Sequence, residues 1–420
     1  MHKLFTDGAF ARVMRVGDSR RFNIDLKTNR AAIVAEAVAT ASTGNAEFSK
    51  AFKTLIKQRQ CHSIKNYSHS LILRSIARYL GHRFRIVPRS RDSLVKEVIE
   101  TLGDSTPIYI IRRDIQSFYE TLPTDDVKRR LVYSSQIPSR VRRYIKSYFS
   151  MFCPGNGRGI PRGIGMSSVI AELVMHSTDQ KIREIEGIYK YFRYSDDILI
   201  FSYIKPDSII PRLEEIVKPT GLRFNRSKSY SRELDCADAK KSVAQSFEYL
   251  GYKFGFLNSG TGKNPRVVSV GISDRKISKI KTRIICALKN NQKHPDLALL
   301  QDRIRFLASN YYAFRNGAPA LKTSRYVRSG IYYNYHLCGE YKGGKKLAHK
   351  CAELKSLDAF YHSLLISKKS TFSAAFGTPL GAPGLKRLRD ISFYKGFSMK
   401  MTVRFHPDRV QAIKAVWRNA

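Results

Sequence analysis

The chain has 420 residues, 43% of them hydrophobic, which is enough to bury a large core in two or three connected subdomains. Its 75 lysines and arginines against 34 acidic residues give a formal net charge of +41. Self-repulsion on that scale destabilises a compact protein unless a polyanion screens it, so the composition indicates a nucleic-acid partner and argues against an ordinary basic protein.

Attachment to a membrane surface is the alternative explanation of a basic chain. The sequence has no long uncharged apolar stretch, and residues 1–7 show no signal-peptide pattern. We therefore expect no membrane partner and a cytoplasmic location. The six cysteines lie far apart without a Cys-x-x-Cys spacing, which argues against a zinc site and against a disulfide framework.

Residues 1–103 are predicted to be mostly helical, with a basic, β-containing stretch near the end. A short helix candidate covers residues 52–57, and a longer one covers residues 68–80, whose apolar residues recur at helical spacing before Gly81. The basic stretch, residues 83–92, follows this helix.

The next signal is Asp114, which ends a β-rich run that begins at Ile108. A helical pattern resumes just after it. Farther on, five glycines and Pro161 fall within residues 155–165, where the backbone must turn sharply or approach another group closely. Residues 167–182 are then predicted to form a helix that this loop leads into.

Asp196 and Asp197 stand at the tip of an apolar, aromatic run over residues 191–201 that is typical of a β-hairpin. For an isolated Asp-Asp pair, a solvated turn is the ordinary explanation. Unpaired carboxylates repel one another and resist burial, however, and Asp114 supplies a third acid in a similar setting.

Three carboxylates of this kind predict a site for a pair of hard divalent cations. Mg²⁺ prefers oxygen ligands and completes them with water and phosphates. Two such ions about 3.5–4 Å apart can activate a 3′-hydroxyl and stabilise the leaving pyrophosphate during nucleotidyl transfer. The acids therefore favour polymerase chemistry.

After Gly262 the pattern shifts towards helices. Ser273 and Asp274 are predicted to cap a basic amphipathic helix, which fits either a nucleic-acid contact or an ordinary solvated surface. Beyond it, aromatic residues alternate with cations, an arrangement that suits stacking on unpaired bases and equally suits core packing. These residues are Tyr311, Tyr312, Phe314, Arg315, Tyr326, Arg328, Tyr332, Tyr333 and Tyr335.

Five short motifs follow one another along residues 104–255. They are Asp114-Ile115-Gln116-Ser117-Phe118-Tyr119, then Gly159-Ile160-Pro161-Arg162-Gly163 with Ser167 and Ser168, Tyr194-Ser195-Asp196-Asp197, Phe224-Asn225-Arg226-Ser227-Lys228-Ser229, and Phe247-Glu248-Tyr249-Leu250-Gly251-Tyr252. In this order they resemble the palm motifs and the primer grip of reverse transcriptases. Agreement of five motifs in register is far more specific than any single match.

The resemblance implies an α+β fold, a right-hand polymerase with fingers, an antiparallel-sheet palm and a helical thumb and C-terminal region. The implied boundaries place an N-terminal region and fingers in residues 1–103 and the palm with a fingers insertion in residues 104–258. The helical thumb and a C-terminal RNA-binding region then take residues 259–420.

The same resemblance implies the site residues. Asp114, Asp196 and Asp197 would be the catalytic ligands of two Mg²⁺ ions, and the backbone carbonyl of Ile115 would be a further metal ligand. Tyr119, the aromatic of the first motif, would exclude ribonucleotides from the substrate site.

Further substrate contacts are implied by position. Lys228 would assist the pyrophosphate. Arg85, Arg91 and Lys96 lie where the fingers would hold the incoming triphosphate, and a solvated basic face or a general RNA contact is the alternative for each. Arg162 stands where the second motif usually carries Gln, so a group that can meet a phosphate or a base replaces the usual nucleotide contact.

Ala171-Glu172 stands where group II intron and retron enzymes commonly have Ala-Asn. It resembles the bacterial abortive-infection and defence-associated reverse transcriptases, which implies DNA synthesis in antiphage defence. The type three defence systems, which pair two such enzymes, are the subgroup that we infer. The implied partners are a structured non-coding RNA template, the DNA product, deoxynucleotides, and a second reverse transcriptase subunit or a homo-oligomer.

Two other functions are compatible with parts of this pattern. One is another palm polymerase, such as an RNA-dependent RNA polymerase, which a comparison of deoxynucleotide with ribonucleotide incorporation would separate. The other is an RNA-binding scaffold derived from a polymerase. The intact set of three acids argues against a scaffold, because a scaffold has no need of clustered carboxylates in a basic protein.

Overall fold

The computed structural model describes most of the chain. The described ranges are 4–43, 47–48, 51–56, 59–86, 89–104, 108–153, 157–234, 246–256, 266–317, 319–320, 324–373 and 381–417. Residues 1–3, Gly155, Cys236 and Gly262, which enter the predictions above, lie outside the described residues. The five described cysteines are free thiols.

The α-helices of the described ranges are numbered α1 to α16 in chain order. They are Asp7–Val13, Asp18–Phe22, Arg30–Ser42, Tyr67–Arg83, Arg91–Leu102, Phe118–Thr121, Asp125–Val132, Ser139–Phe152, Ser167–Arg183, Pro206–Val217, Asp274–Lys293, Leu297–Ala308, Ala352–Ile366, Gly381–Arg389, Phe393–Ser398 and Pro407–Ala415. Among these described helices, none combines the length and the apolar character that crossing a bilayer requires.

The strands of the same ranges are numbered β1 to β14. They are Phe52–Ile56, Arg59–Ser63, Ile108–Asp114, Ile188–Tyr194, Asp197–Ser202, Tyr230–Leu234, Ser246–Tyr249, Tyr252–Phe256, Val267–Ile272, Asn310–Phe314, Tyr326–Gly330, Gly339–Lys342, Lys345–Ala348 and Thr402–Val403. The chain divides into two compact units, each assembled from separate segments. The first comprises residues 1–89, 108–233 and 314–325, and the second comprises residues 90–107, 234–313 and 326–420.

The first unit is built on a four-stranded sheet with the strand order β4-β5-β3-β6. Strand β5 pairs antiparallel with both β3 and β4. Isoleucine, a β-branched residue that suits strands, dominates the two central strands, and Ile110, Ile111 and Ile200 are fully buried. The two central strands therefore anchor the sheet in the core, and the polar residues of β3 stand at its carboxyl end.

Helix α4 packs against α1, α3 and α9 in the core of the first unit. The Asn66 side chain accepts a hydrogen bond from the His69 N–H and caps its first turn. Leu71, Ile72 and Ile76 are fully buried, as expected of an amphipathic helix. The helix predicted over residues 68–80 is confirmed and continues to Arg83.

The helix predicted over residues 52–57 is wrong. Phe52–Ile56 is strand β1, which pairs antiparallel with β2 in an isolated two-stranded hairpin. Phe52, Leu55 and Ile56 are exposed. Six residues are too few to separate a helical from a strand period, and aromatic and β-branched residues such as Phe52 and Ile56 favour a strand.

The second unit contains a five-stranded antiparallel sheet with the order β13-β12-β9-β8-β7. Leu250 and Gly251 form the two-residue turn between β7 and β8, with φ values of 48° and 83°. Positive φ at both positions is typical of a type I′ hairpin, although leucine rarely adopts it. Arg91 Nε donates a hydrogen bond to the Leu250 carbonyl at 2.8 Å and so holds this turn.

Helix α11 begins where the sequence predicts, but its cap differs. Ser273 occupies the N-cap position without a side-chain hydrogen bond to the helix. Glu248 from β7 instead accepts a hydrogen bond from the Asp274 N–H at 2.6 Å. Ile277 and Ile284 are buried on the apolar face, as predicted.

The region after residue 259 is not helical throughout. Its described residues form helices α11 to α16, but also six strands. Strands β9, β12 and β13 belong to the five-stranded sheet, and β11, β10 and β14 form a three-stranded sheet in that order. Strands β12 and β13 have four residues each and are rich in lysine, so no apolar alternation marks them in the sequence.

Candidate active site

Asp114, Asp196 and Asp197 meet at one end of the four-stranded sheet. Asp114 is the last residue of β3, Asp197 is the first of β5, and the register places them directly opposite each other. The Ile115 N–H donates to the Asp196 carbonyl at 2.9 Å, which makes Asp114 and Asp197 a narrow, non-hydrogen-bonded pair. Side chains of such a pair share one face of the sheet, with Cβ atoms about 4.5–5.5 Å apart. The predicted hairpin with an acidic tip is confirmed.

Two basic side chains, Arg112 and Lys228, form ion pairs with the carboxylates of Asp197 and Asp114. Arg112 Nε and Nη2 donate to Asp197 Oδ1 and Oδ2, each at 2.9 Å, in a bidentate ion pair. Lys228 Nζ lies 3.1 Å from Asp114 Oδ1. The site is therefore a compact arrangement of carboxylates compensated by an arginine and a lysine.

The three carboxylates also influence one another electrostatically. Burial raises the pKa of the Asp197 carboxyl above its usual value, Arg112 opposes that rise, and the charges of Asp114 and Asp196 add to it. Positive charge placed among the three groups would lower this pKa and favour the ionised form.

A short 3₁₀ turn, Arg226–Lys228, brings the lysine to this site. The Asn225 side chain accepts a hydrogen bond from the Ser227 N–H and caps the turn. The Asn225 N–H donates to the Asp114 carbonyl at 2.7 Å, so the turn is docked on the end of β3. The same segment thus contacts Asp114 through its backbone and through the Lys228 side chain.

Tyr119 lies in α6, half-buried beside the acids. Its hydroxyl lies close to Ser195, in the turn that carries Asp196. The Arg162 guanidinium lies over its ring, 4.8 Å from the centroid. Burial raises the pKa of the Tyr119 hydroxyl, and the Ser195 side chain and the Arg162 charge oppose that rise. Tyr119 is a fixed, neutral wall of the site.

Arg162 is itself held by an acidic partner. Its Nε and Nη2 donate to Glu120 Oε1 and Oε2 at 2.6 and 3.0 Å. Because the pair keeps the guanidinium stacked on Tyr119, the arginine that replaces the usual Gln forms a ring contact and an ion pair here.

The glycine-rich segment packs closely on its neighbours, as predicted. Gly163 has a φ of 93°, and a Cβ atom there would lie 2.5 Å from the His62 carbonyl oxygen. The His62 N–H donates to the Arg162 carbonyl at 2.7 Å, so β2 fixes this loop. The loop then enters α9, which confirms the helix predicted over residues 167–182.

A buried ionic cluster supports the hairpin from behind. Arg193 of β4 donates to both Glu172 and Asp179 of α9, with closest distances of 2.6 and 2.7 Å. The Tyr191 hydroxyl donates to Asp179 Oδ1 at 2.6 Å. Side-chain exposure is only 6% for Arg193 and 8% for Asp179, so this cluster is an internal link between β4 and α9.

The remaining predicted substrate contacts lie elsewhere. Arg85 is exposed and lines a cavity beside α1 and α4 in the first unit. Arg91 and Lys96 lie on α5 in the second unit. There Arg91 donates to the Leu250 and Asn334 carbonyls and stacks on Tyr252 at 4.6 Å, while Lys96 is exposed. A role for these three residues in holding the triphosphate stays a prediction.

Sequence reasoning missed three residues of this site. Arg112 precedes Asp114 by two positions, and the strand period of two would have placed both on one face. Arg193 interrupts an apolar hairpin strand, and a charged residue in such a strand needs a buried partner. No comparable signal points to Glu120, because its pairing with Arg162 depends on the tertiary fold.

The site contains oxygen ligands that suit a hard cation, but its carboxylates are paired with Arg112 and Lys228 and are not arranged around a metal position. The carboxylates and the neighbouring Ile115 carbonyl supply only oxygen ligands, which is the set that Mg²⁺ prefers. Within the described ranges, no group of three or more His, Cys, Asp or Glu side chains is arranged to hold a metal ion. Lys228 lies against the Asp114 carboxylate, so a metal ion that bound Asp114 would have to displace the lysine.

An antiparallel sheet with three carboxylates at its end has the arrangement of a palm-type polymerase. Residues 46–254, just under half of the chain, match the family model described as reverse transcriptase (RNA-dependent DNA polymerase). No curated protein matches the chain.

The chain therefore carries a reverse transcriptase domain, as the order of its motifs predicts, and it is an RNA-directed DNA polymerase, a nucleotidyltransferase. Enzymes of this kind use divalent metal ions and take an RNA template and nucleotides to a DNA product.

Proposed function

We propose that the chain copies RNA into DNA at the site formed by Asp114, Asp196 and Asp197, with Mg²⁺ as its metal. The observation that carries this proposal is the register that sets Asp114 opposite Asp197, beside Asp196. When bound, two such ions would activate the primer 3′-hydroxyl and stabilise the leaving pyrophosphate. Loss of synthesis when Asp196 and Asp197 are replaced by asparagine is the test.

The protein's own residues would have distinct roles in this reaction. Asp114, Asp196, Asp197 and the Ile115 carbonyl would hold the metal. Arg112 would act as a positioning residue, because its bidentate ion pair fixes the orientation of the Asp197 carboxylate.

Lys228 would exchange partners. It neutralises Asp114 in the present arrangement, and its side chain is 43% exposed. Release from Asp114 would leave the ammonium free to meet the leaving pyrophosphate, and a flexible lysine suits a charge that must move between two partners.

Arg162 would contribute to substrate binding through Tyr119. Its ion pair with Glu120 and its position over the Tyr119 ring favour a role in bracing that ring. A stacked, bidentate arginine is well suited to such a fixed contact.

We predict that Tyr119→Ala lets the enzyme use ribonucleotides. The Arg162 guanidinium lies over the ring that would meet a 2′-hydroxyl, so removal of the ring opens space at the sugar. Discrimination between a deoxynucleotide and its ribonucleotide should fall by about tenfold or more. Steady-state incorporation of each nucleotide on one primer and template measures this ratio.

Tyr119→Phe is the matched control, because it keeps the ring and loses only the hydroxyl. It should retain the wild-type preference for deoxynucleotides. Equal discrimination by the Ala variant and the wild-type enzyme would refute the gate.

We further propose that the template is a structured non-coding RNA and that the enzyme acts in antiphage defence in a bacterial cell. The net charge of +41 supports tight binding to a large polyanion. The Ala171-Glu172 sequence supports the defence branch by resemblance, with a second reverse transcriptase subunit or a second copy of the chain as partner.

Sequencing the nucleic acids that copurify with the protein should recover one RNA species and DNA complementary to it. The Asp196→Asn/Asp197→Asn variant should recover the same RNA without the DNA. A mixture of cellular RNAs with no preferred species would refute a dedicated template.

A further inference from the structure

A cavity of about 770 Å³ lies in the first unit among α1, α4 and the start of α9. Five arginines line it, which are Arg12, Arg15, Arg74, Arg78 and Arg85. None of the three aspartates at the end of β3 and β5 contributes to its wall. We call it the arginine cavity.

Of the five guanidinium groups, only that of Arg74 forms an ion pair with a carboxylate of the described residues. Arg74 donates to Asp18 at 2.6 and 2.9 Å, and Asp18 also accepts hydrogen bonds from the Tyr67 hydroxyl and the Arg15 N–H. Among the described residues, no carboxylate forms an ion pair with Arg12, Arg15, Arg78 or Arg85. The cavity therefore keeps a large excess of positive charge.

This charge is costly without a ligand. Burial lowers the pKa of Arg15, the neighbouring Arg74 lowers it further, and Asp18 offsets only part of this shift. Arg74 and Arg78 stand one helical turn apart on α4, a spacing at which like charges repel. Arg85 adds a third cation after the helix in a left-handed conformation with a φ of 51°, which non-glycine residues adopt rarely.

The wall also has an apolar part. Val13, Met14, Ala77 and Val169 line the cavity between the arginines. The volume falls within the range of about 300–1,000 Å³ that is usual for small-ligand sites. Guanidinium groups bind phosphate oxygens in a bidentate manner, and an apolar wall suits a base and a sugar.

We propose that the arginine cavity binds a nucleoside triphosphate group, supplied by the 5′ end of an RNA or by a free nucleotide. The four guanidinium groups that form no ion pair with a described carboxylate match the charge of a triphosphate. As the binding site of an RNA 5′ end, the cavity would anchor the template at a fixed point away from the reacting 3′-hydroxyl. This role as a template anchor rests on the proposed function.

The test compares one short RNA oligonucleotide carrying a 5′-triphosphate, a 5′-monophosphate or a 5′-hydroxyl. Binding to the full chain is measured by fluorescence anisotropy at fixed ionic strength, because the +41 charge binds any RNA in a salt-dependent manner. EDTA is present, so metal-dependent nucleotide binding at the aspartates does not contribute. We expect the triphosphorylated RNA to bind about tenfold more tightly than the 5′-hydroxyl RNA, as one charge-assisted hydrogen bond or more would give.

Arg12→Ala/Arg78→Ala should abolish this preference. Both side chains are exposed, so the fold should tolerate their loss. The matched control is Arg130→Ala/Arg212→Ala, which removes two exposed arginines of α7 and α10 outside the cavity and should keep the preference. Arg78→Glu, a charge reversal, should weaken binding of the triphosphorylated RNA below that of the 5′-hydroxyl RNA.

Competition with GTP separates the two sources of the phosphates. Displacement of the triphosphorylated RNA by an equal concentration of GTP assigns the cavity to a free nucleotide, and failure of GTP to compete assigns it to the RNA end. Equal affinity of the wild-type chain for all three RNAs, with no GTP binding, would overturn the proposal, as would an unchanged preference in Arg12→Ala/Arg78→Ala. Since binding is read without turnover, either result leaves the polymerase assignment to be decided by incorporation alone.

Discussion

Replacing both acids of the hairpin tip, Asp196→Asn/Asp197→Asn, is expected to abolish DNA synthesis. Removing two of three negative charges leaves Asp114 unable to hold a pair of divalent cations. The rate of incorporation should fall by about 10³-fold or more, since loss of a single electrostatic contact to a transition state costs up to that factor. Single-nucleotide extension of a primer on an RNA template measures this rate. RNA affinity should remain within about twofold of the wild-type value, because replacing a carboxylate with a neutral amide does not reduce the attraction for phosphates.

The matched control for this variant is Asp207→Asn, an exposed acid on α10 in the same unit. It changes the net charge by one in the same direction and should extend primers at the wild-type rate. The Asp196→Asn/Asp197→Asn variant also leaves the Arg112 guanidinium facing a neutral amide, so its unfolding midpoint is measured alongside the rate of incorporation. Retained incorporation by a folded double variant would remove the three-acid assignment.

Arg193→Met is expected to destabilise the first unit by about 3–5 kcal/mol, the usual cost of removing one partner from a buried ion pair. Asp179, with only 8% of its side chain exposed, would lose its cation and remain buried beside Tyr191. Burial alone would lower the pKa of Arg193, but the hydrogen bonds and charges of Asp179 and Glu172 outweigh it and raise that pKa. The midpoint of urea unfolding reports the loss.

Two further variants make this result specific. Arg212→Met removes an exposed arginine from α10 and should change stability by no more than about 0.5 kcal/mol. Arg193→Met/Asp179→Asn removes the buried charge left behind and should recover part of the loss, as a double-mutant cycle would reveal. An Arg193→Met protein as stable as the wild type would show that the cluster contributes little to the link between β4 and α9.

The elements that carry the candidate site could be predicted because their signals are local. Strand β3 ends at the acid that closes its β-rich run, and α9 starts after the last glycine of its loop. The hairpin of β4 and β5 is predicted by its apolar, aromatic run with two acids at the tip. These features depend on neighbours within a few residues, so the sequence alone contains them.

The pairs that complete the site could not be predicted, because they join distant parts of the chain. Lys228 meets Asp114 across 114 positions, and Arg112 meets Asp197 across 85. Which cation pairs with which acid depends on strand register and on the docking of a short turn, neither of which has a local signature. Arg91 shows the same limit, since its hydrogen bond to the Leu250 carbonyl joins residues 159 positions apart and has no local signal.

The docking of the 3₁₀ turn on β3 places a strict demand on the length of that segment. Side chains three positions apart in such a turn eclipse each other, and each additional residue rotates the next by about 120°. Asn225 can therefore bind the main chain of Asp114 while Lys228 reaches its carboxylate only if two residues separate them. Substitutions at Arg226 and Ser227 should be tolerated far better than a one-residue insertion between them, which would swing the ammonium group off the acid and leave the end of β3 without its counter-charge.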